Sequence, residues 1–239
     1  MRERLPFLVG LTLVAVALGV GSALIASGIR DRGRNDVLTV TGSAKQRIVS
    51  DYVVWTSSLS SQRPTEAAAA ADVTAWTARV RGFFRAQGVK AAELTLQPVT
   101  AYVPGSYTAD GNKVTGYRVE RDFEIRSARV SAIAHVAEES KTLLAEGVPL
   151  AVDPPQYVYT KLPTLRPKLL AAAMRDAQER AKVIVTASGV KLGRLRGVDV
   201  GVFQVTAPNS TDVSDYGDYD TSTLRKDVTA VVNVTFALG

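Results

Sequence analysis

From residue 37 onward two hydrophobic periods take turns, and that alternation narrows the possible folds more than any other feature of the chain. Residues 37–44 (V-L-T-V-T-G-S-A) and 48–61 are rich in β-branched side chains and alternate. Val53, Trp55 and Ser57 fall on one face, and Tyr52, Val54 and Thr56 on the other. The two segments read as a first hairpin. Over residues 65–87 the period becomes helical: Val73, Trp76, Val80, Phe83 and Phe84 make one stripe, with Thr65 near its start and Gly88 at its end. Two β-rich stretches follow at 93–103 and 113–126, parted by Pro104-Gly105 and Asp110-Gly111, and read as a second hairpin. Ser127 is placed to cap a helix over 128–146 with Val130, Ile133, Ala137 and Leu144 inward. A short strand at 156–160 and a long helix at 164–188 come next. That helix gathers Leu170, Ala173, Ala177, Ala181, Ile184 and Ser188 on one face. Strands at 197–206 and 226–237 close the pattern. Hairpins mixed with helical crossovers imply an α+β fold with antiparallel-rich sheets and covering helices.

Ahead of this body, residues 5–29 carry no ionisable side chain. As a helix they would be about 37 Å long, enough to cross a hydrocarbon core of about 30 Å with some tilt. A cleaved signal peptide has a shorter apolar run, so one uncleaved N-terminal transmembrane helix is the better reading. Ala15, Gly19, Ala23 and Ser27 recur every four residues and line one face, a spacing that lets two membrane helices approach closely. The expected organisation is an anchor at 1–29, a polar linker at 30–36 and an extracytoplasmic body at 37–239, held as a single-pass membrane protein.

The charge of +6 fits this placement. Half of it lies in residues 1–34, where five arginines face Glu3 and Asp31. Arginines flanking an apolar segment meet anionic head groups, which leaves no clustered basic face for nucleic acid. The chain has no cysteine and one histidine, so thiolate nucleophiles, Cys/His zinc sites and iron–sulfur clusters are excluded. His135 lies off the apolar side of its helix, where no buried partner would orient an imidazole for catalysis. Glu138 and Glu139 are adjacent on a helix and point about 100° apart, a poor acid/base pair. Glycine-rich phosphate loops are missing from the sequence. No catalytic residue and no cofactor is expected. Lys161, Arg166 and Lys168, near Tyr157 and Tyr159, read as a wet basic surface.

The polar stretch 206–227 fits none of these elements. Asp212, Asp215, Asp218 and Asp220 offer oxygen ligands of the kind calcium takes, yet their spacing departs from the EF-hand loop and its distal glutamate. They are weak metal candidates. Tyr216 and Tyr219 suit docking on a neighbour, because tyrosine is enriched at interfaces and long irregular loops are often functional.

Several segments carry a family resemblance. Leu38-Thr-Val-Thr-Gly42-Ser43-Ala44 with the long strand after it, Thr115-Gly116-Tyr117-Arg118, and Asp176-Ala-Gln-Glu-Arg180-Ala181-Lys182 through Gly189-Val-Lys-Leu-Gly193 resemble the SIMPL-domain family. Pro154-Pro-Gln-Tyr157-Val-Tyr159-Thr-Lys161-Leu and the run from Gly201 to Phe236 are similar to one of its branches. The resemblance spans residues 37–239. It implies an α+β fold, a periplasmic or membrane-tethered location and, in some members, large homo-oligomers; it supplies no catalytic residues. The resulting expectation is a non-enzymatic protein that acts by self-assembly or protein interaction in the bacterial envelope, in homeostasis or stress tolerance. Two alternatives are an accessory subunit of a larger integral membrane complex, and a hydrolase or metal- or ligand-binding protein using the loop 206–227.

Overall fold

The computed structural model describes residues 36–104, 116–210 and 217–239. The expected membrane helix with Ala15, Gly19, Ala23 and Ser27 lies outside these residues, as do Asp212, Asp215 and Tyr216. In chain order β1 (Val37–Val49) and β2 (Tyr52–Arg63) precede α1 (Glu66–Ala86), and β3 (Leu94–Leu96), β4 (Thr100–Tyr102) and β5 (Tyr117–Ser127) follow. Then come α2 (Val130–Glu139), α3 (Lys141–Ala145), β6 (Leu150–Val152), β7 (Gln156–Val158), α4 (Leu162–Ser188), β8 (Leu192–Val200), β9 (Gln204–Thr206) and β10 (Arg225–Leu238). The architecture is α+β, and every strand pair with an assigned register is antiparallel, beside one isolated parallel bridge between Val205 and Tyr219. The chain divides into two compact units. The smaller comprises residues up to Ala44, Pro167–Val202 and Ala230–Gly239, and the larger comprises Lys45–Arg166 and Phe203–Thr229.

In the larger unit β2 and β5 form the spine of a six-stranded sheet, in register from Val53 opposite Ser127 to Arg63 opposite Tyr117. β3 and β4 flank β5, while β6 and β7 flank β2. The second hairpin therefore exists, but its first arm is broken between Leu96 and Thr100. Pro98 sits in the break, where its missing N–H would interrupt a ladder; Pro154-Pro155 interrupts the opposite margin in the same way. Thr65 caps α1, its Oγ1 accepting from the Ala68 N–H at 3.3 Å. The buried line of α1 runs through Ala69, Val73, Thr77, Val80 and Phe84, with Trp76 and Phe83 on its flank. Thr77 is tolerated inside because its hydroxyl donates to the Val73 carbonyl at 2.6 Å. Phe84 packs edge-on against Trp55 at 5.7 Å and Phe123 at 6.0 Å, which joins the helix to both spine strands.

The helix expected at 128–146 is two helices. Ser140 stands at the junction, its hydroxyl donating to the Ala137 carbonyl at 2.6 Å. The break shifts the phase of α3 relative to α2, so Leu143 is buried and Leu144 is 64% exposed. Val136 occupies the core beside Val130 and Ile133, whereas Ala137 is only half-buried; His135 is exposed, as its helical phase required. β6 has no counterpart in the sequence reading, where three residues beside a turn give too short a period to recognise.

The first hairpin does not form. β1 joins β10 and β8 in one sheet, while β2 belongs to the other. The connection between them is held elsewhere: the Ser50 N–H donates to the Leu224 carbonyl at 2.9 Å and the Asp51 N–H to the Val158 carbonyl at 3.1 Å. In the smaller unit β10 lies between β1 and β8. Gly42 of β1 rests on α4, where a Cβ would come within 2.2 Å of the Ala173 carbonyl oxygen and 2.5 Å of the Ala177 nitrogen. The buried side of α4 here follows one i, i+4 row, Leu169, Ala173, Ala177, Ala181 and Val185. Each step along such a row turns about 40° around the axis. The ends of the stripe therefore fall on Leu169 and Val185, not on Leu170, Ile184 or Ser188 as the sequence suggested. On β8, residues 193–200 are all exposed. Among the described residues no helix is long and apolar enough to cross a membrane.

Candidate functional site

The best-connected polar cluster of the larger unit lies in the stretch that returns from β9 to β10. Residues 217–224 run as a strap over three neighbours. Asp218 and Asp220 bracket Val205 by backbone bonds, both of 2.8 Å. Tyr157 of β7 donates its N–H to the Thr221 carbonyl at 2.7 Å, and Leu224 accepts from Ser50. Tyr219 docks within its own chain: its hydroxyl accepts from the Tyr159 N–H at 3.1 Å. The residue remains 41% exposed.

Asp220 is a structural clasp. Its Oδ1 accepts from the Ser222 N–H at 2.8 Å and the Ser222 hydroxyl at 2.7 Å. Its Oδ2 accepts from the Thr223 hydroxyl and, at 3.4 Å, from Lys226 Nζ, whose side chain is wholly buried. Lys226 also donates to the Thr223 carbonyl. Burial alone would raise the Asp220 pKa, but these hydroxyl and amide donors and the lysine charge outweigh it and hold the carboxyl well below the usual carboxylate range. Burial pushes Lys226 down from its ordinary value against the opposing pull of Asp220. With both oxygens engaged, Asp220 has little left for a metal ion. Asp218 is exposed, and among the described residues no three His, Asp or Glu side chains gather as metal ligands.

A second carboxylate anchors the start of β10. Asp227, almost wholly buried, receives Arg47 Nε at 2.9 Å and Nη2 at 3.1 Å, Lys45 Nζ at 3.2 Å and the Asn209 N–H at 3.4 Å. Arg47, then burial working the other way, then Lys45 determine its proton affinity, and the sum leaves it well below the usual range. Asn209 takes a left-handed backbone (φ 61°) that a short amide side chain tolerates, and its Oδ1 accepts from Arg47 at 3.1 Å. Sequence reasoning missed Lys45, Arg47 and Asp227. Their only signal is alternation, since 45 and 47 share a side of β1, and nothing in the sequence marks their partner.

The expected basic surface is dispersed. Lys161 lies 3.8 Å from Asp51, Arg166 stacks 5.6 Å over the Phe203 ring, and Lys168 is exposed. Asp51 in turn accepts from the Thr160 N–H and hydroxyl at 2.7 and 2.9 Å. A wider groove of about 650 Å³ crosses the helix-free face of β2 and β5 beside Pro98, edged by Asp122, Glu124 and Asp153. Thr56 donates to Asp153 there at 2.6 Å.

What these elements define is an α+β domain of two antiparallel-rich sheets with helices, its conspicuous polar groups occupied in fastening one segment to another. A family model matches residues 38–236: SIMPL, described as a protein of unknown function (DUF541). The chain belongs to the SIMPL family. Comparison with curated proteins gave no match.

Proposed function

We propose that this protein works by contact, as a membrane-anchored extracytoplasmic SIMPL domain that associates with further copies of itself in the bacterial envelope. One observation carries the reading. β8 is a strand paired along β10 whose residues 193–200 are exposed, although Leu195, Val198 and Val200 lie on the face that its neighbour β10 buries. Monomeric proteins seldom leave contiguous apolar surface of that kind uncovered. The uncharged run at 5–29 supports tethering, and the strap of the larger unit supports a scaffold, since Asp220 is engaged in holding it closed and Asp227 in anchoring the strand after it. Envelope homeostasis or stress tolerance is the role this reading implies.

Two measurements test it. Added protease should digest the body in spheroplasts without lysis, and sedimentation of the full chain in mild detergent should show species above the monomer. A body protected until the membrane is broken, or a strict monomer at high concentration, overturns the proposal. Constant stoichiometry with a different polypeptide would replace self-association by an accessory-subunit role.

A further inference from the structure

The sheet of the smaller unit ends in two strands, β1 and β8, each without an outer partner among the described residues. The two ends are unlike. α4 lies over β1, where Gly42 touches Ala173 and Ala177. Its flank overhangs the outer edge: Thr39 and Thr41 of β1 with Glu179, Val183 and Ile184 of α4 line a groove of about 610 Å³. Val183 and Ile184 are 70% and 45% exposed. At the inner end of this edge the Ser43 N–H is already taken, donating to Asp176 Oδ2 at 2.8 Å.

The β8 end has the complementary defect. Val198 and Val200 stand opposite Val234 and Val232, and Leu195 opposite Phe236, so all three share the face that β10 buries. Yet they are 43–50% exposed. Among the described residues one edge has an apolar roof with no strand beneath it, and the other has an apolar strand with no roof. The charges also match: with Asp176 paired to Arg180 at 2.9 Å, Glu179 leaves the groove net negative, while Arg194 and Arg196 outnumber Asp199 on β8.

We infer that β8 of a second copy fills the groove beside β1, continuing the sheet from one copy into the next and tucking Leu195, Val198 and Val200 under Val183 and Ile184. This deepens the self-association reading and rests on it. Strand addition supplies backbone hydrogen bonds along the shared edge, and the apolar pockets fix the register. Two different surfaces meet, so the contact is head-to-tail and either closes into a ring or runs on as a filament.

The chain has no cysteine, which makes the contact directly addressable. Thr39 bonds Thr235, and Gly197 stands opposite Thr235, so residues 39 and 197 share the helix-free face. A Cβ at Gly197 meets nothing within 4 Å. Full-length Thr39→Cys and Gly197→Cys proteins, mixed in mild detergent and treated with a short bismaleimide, should give a mixed dimer at least tenfold in excess of either variant crosslinked to itself. Val198→Asp should raise the concentration for half-assembly at least tenfold while leaving the melting temperature of the dissociated protein in place. Self-crosslinking of Gly197→Cys, or no crosslink in a preparation that sedimentation shows to be assembled, overturns this contact and leaves self-association standing. A wild-type chain that stays monomeric overturns both.

Discussion

The two units bury their apolar surface by different means. In the larger one, helices cover one face of β2 and β5 and an aromatic group built on Trp55, Phe84 and Phe123 fills the space, so the chain satisfies itself. In the smaller one a single helix among the described residues serves a three-stranded portion of sheet, close enough over β1 to demand glycine while β8 stays exposed. The same binary pattern of strand and helix can therefore complete a core or leave one edge of it open. What separates the outcomes is how many helices each sheet receives.

Substitutions can break or sharpen that contrast. The largest effect is expected in the self-sufficient core: Phe84→Ala should cost about 4 kcal/mol in denaturant titration, since it removes the ring that joins α1 to both spine strands. Gly42→Ala should cost about 3 kcal/mol, because the new methyl meets helix backbone that cannot move aside. A smaller loss would mean that α4 is free to lift from β1. Asp220→Ala should cost about 2 kcal/mol by leaving Lys226 buried without its counter-charge, and a gain in protease cleavage within the strap would locate the damage.

Next in size is a pH effect in the larger unit. Glu93 accepts from Arg129, Ser127 and the Lys90 N–H; Arg129 first, against burial, holds its pKa down at about 2 from an ordinary 4.5. A carboxyl depressed on folding stabilises fully above its unfolded pKa, and that contribution fades as pH falls from about 4.5 toward 2. Glu93→Gln should therefore cost about 1–2 kcal/mol at pH 7 and far less at pH 2, read as converging denaturant midpoints. The smallest effect is expected on β8, where Leu195→Ser should change the stability of dissociated protein by less than about 0.5 kcal/mol. A large loss there would show that β8 is covered within its own chain.

Local period made much of this fold legible. The alternation of Val53, Trp55 and Ser57 against Tyr52, Val54 and Thr56 located β2, and Thr65 and Gly88 bounded α1. Pairing was the part that local pattern could not reach. β1 and β2 are separated by two residues and look like arms of one hairpin, but β1 takes its partner from the far end of the sequence. The break at Ser140 was equally hidden, because serine inside a helical pattern is ordinary until its hydroxyl is seen on the Ala137 carbonyl. In the strap, aspartates suggested ligands by composition. Asp220 is instead saturated by Ser222, Thr223 and Lys226, a closure set by backbone path and not by spacing.

The central position of β10 also sets an order of events. Residues 45–166 can fold with neighbours close along the chain, whereas β1 must wait for a strand that emerges only after nearly all of them. During synthesis, then, the Val-Leu-Thr-Val-Thr segment is an unsatisfied adhesive tape, and whatever shields it in that interval bears on yield as the finished molecule's contacts do.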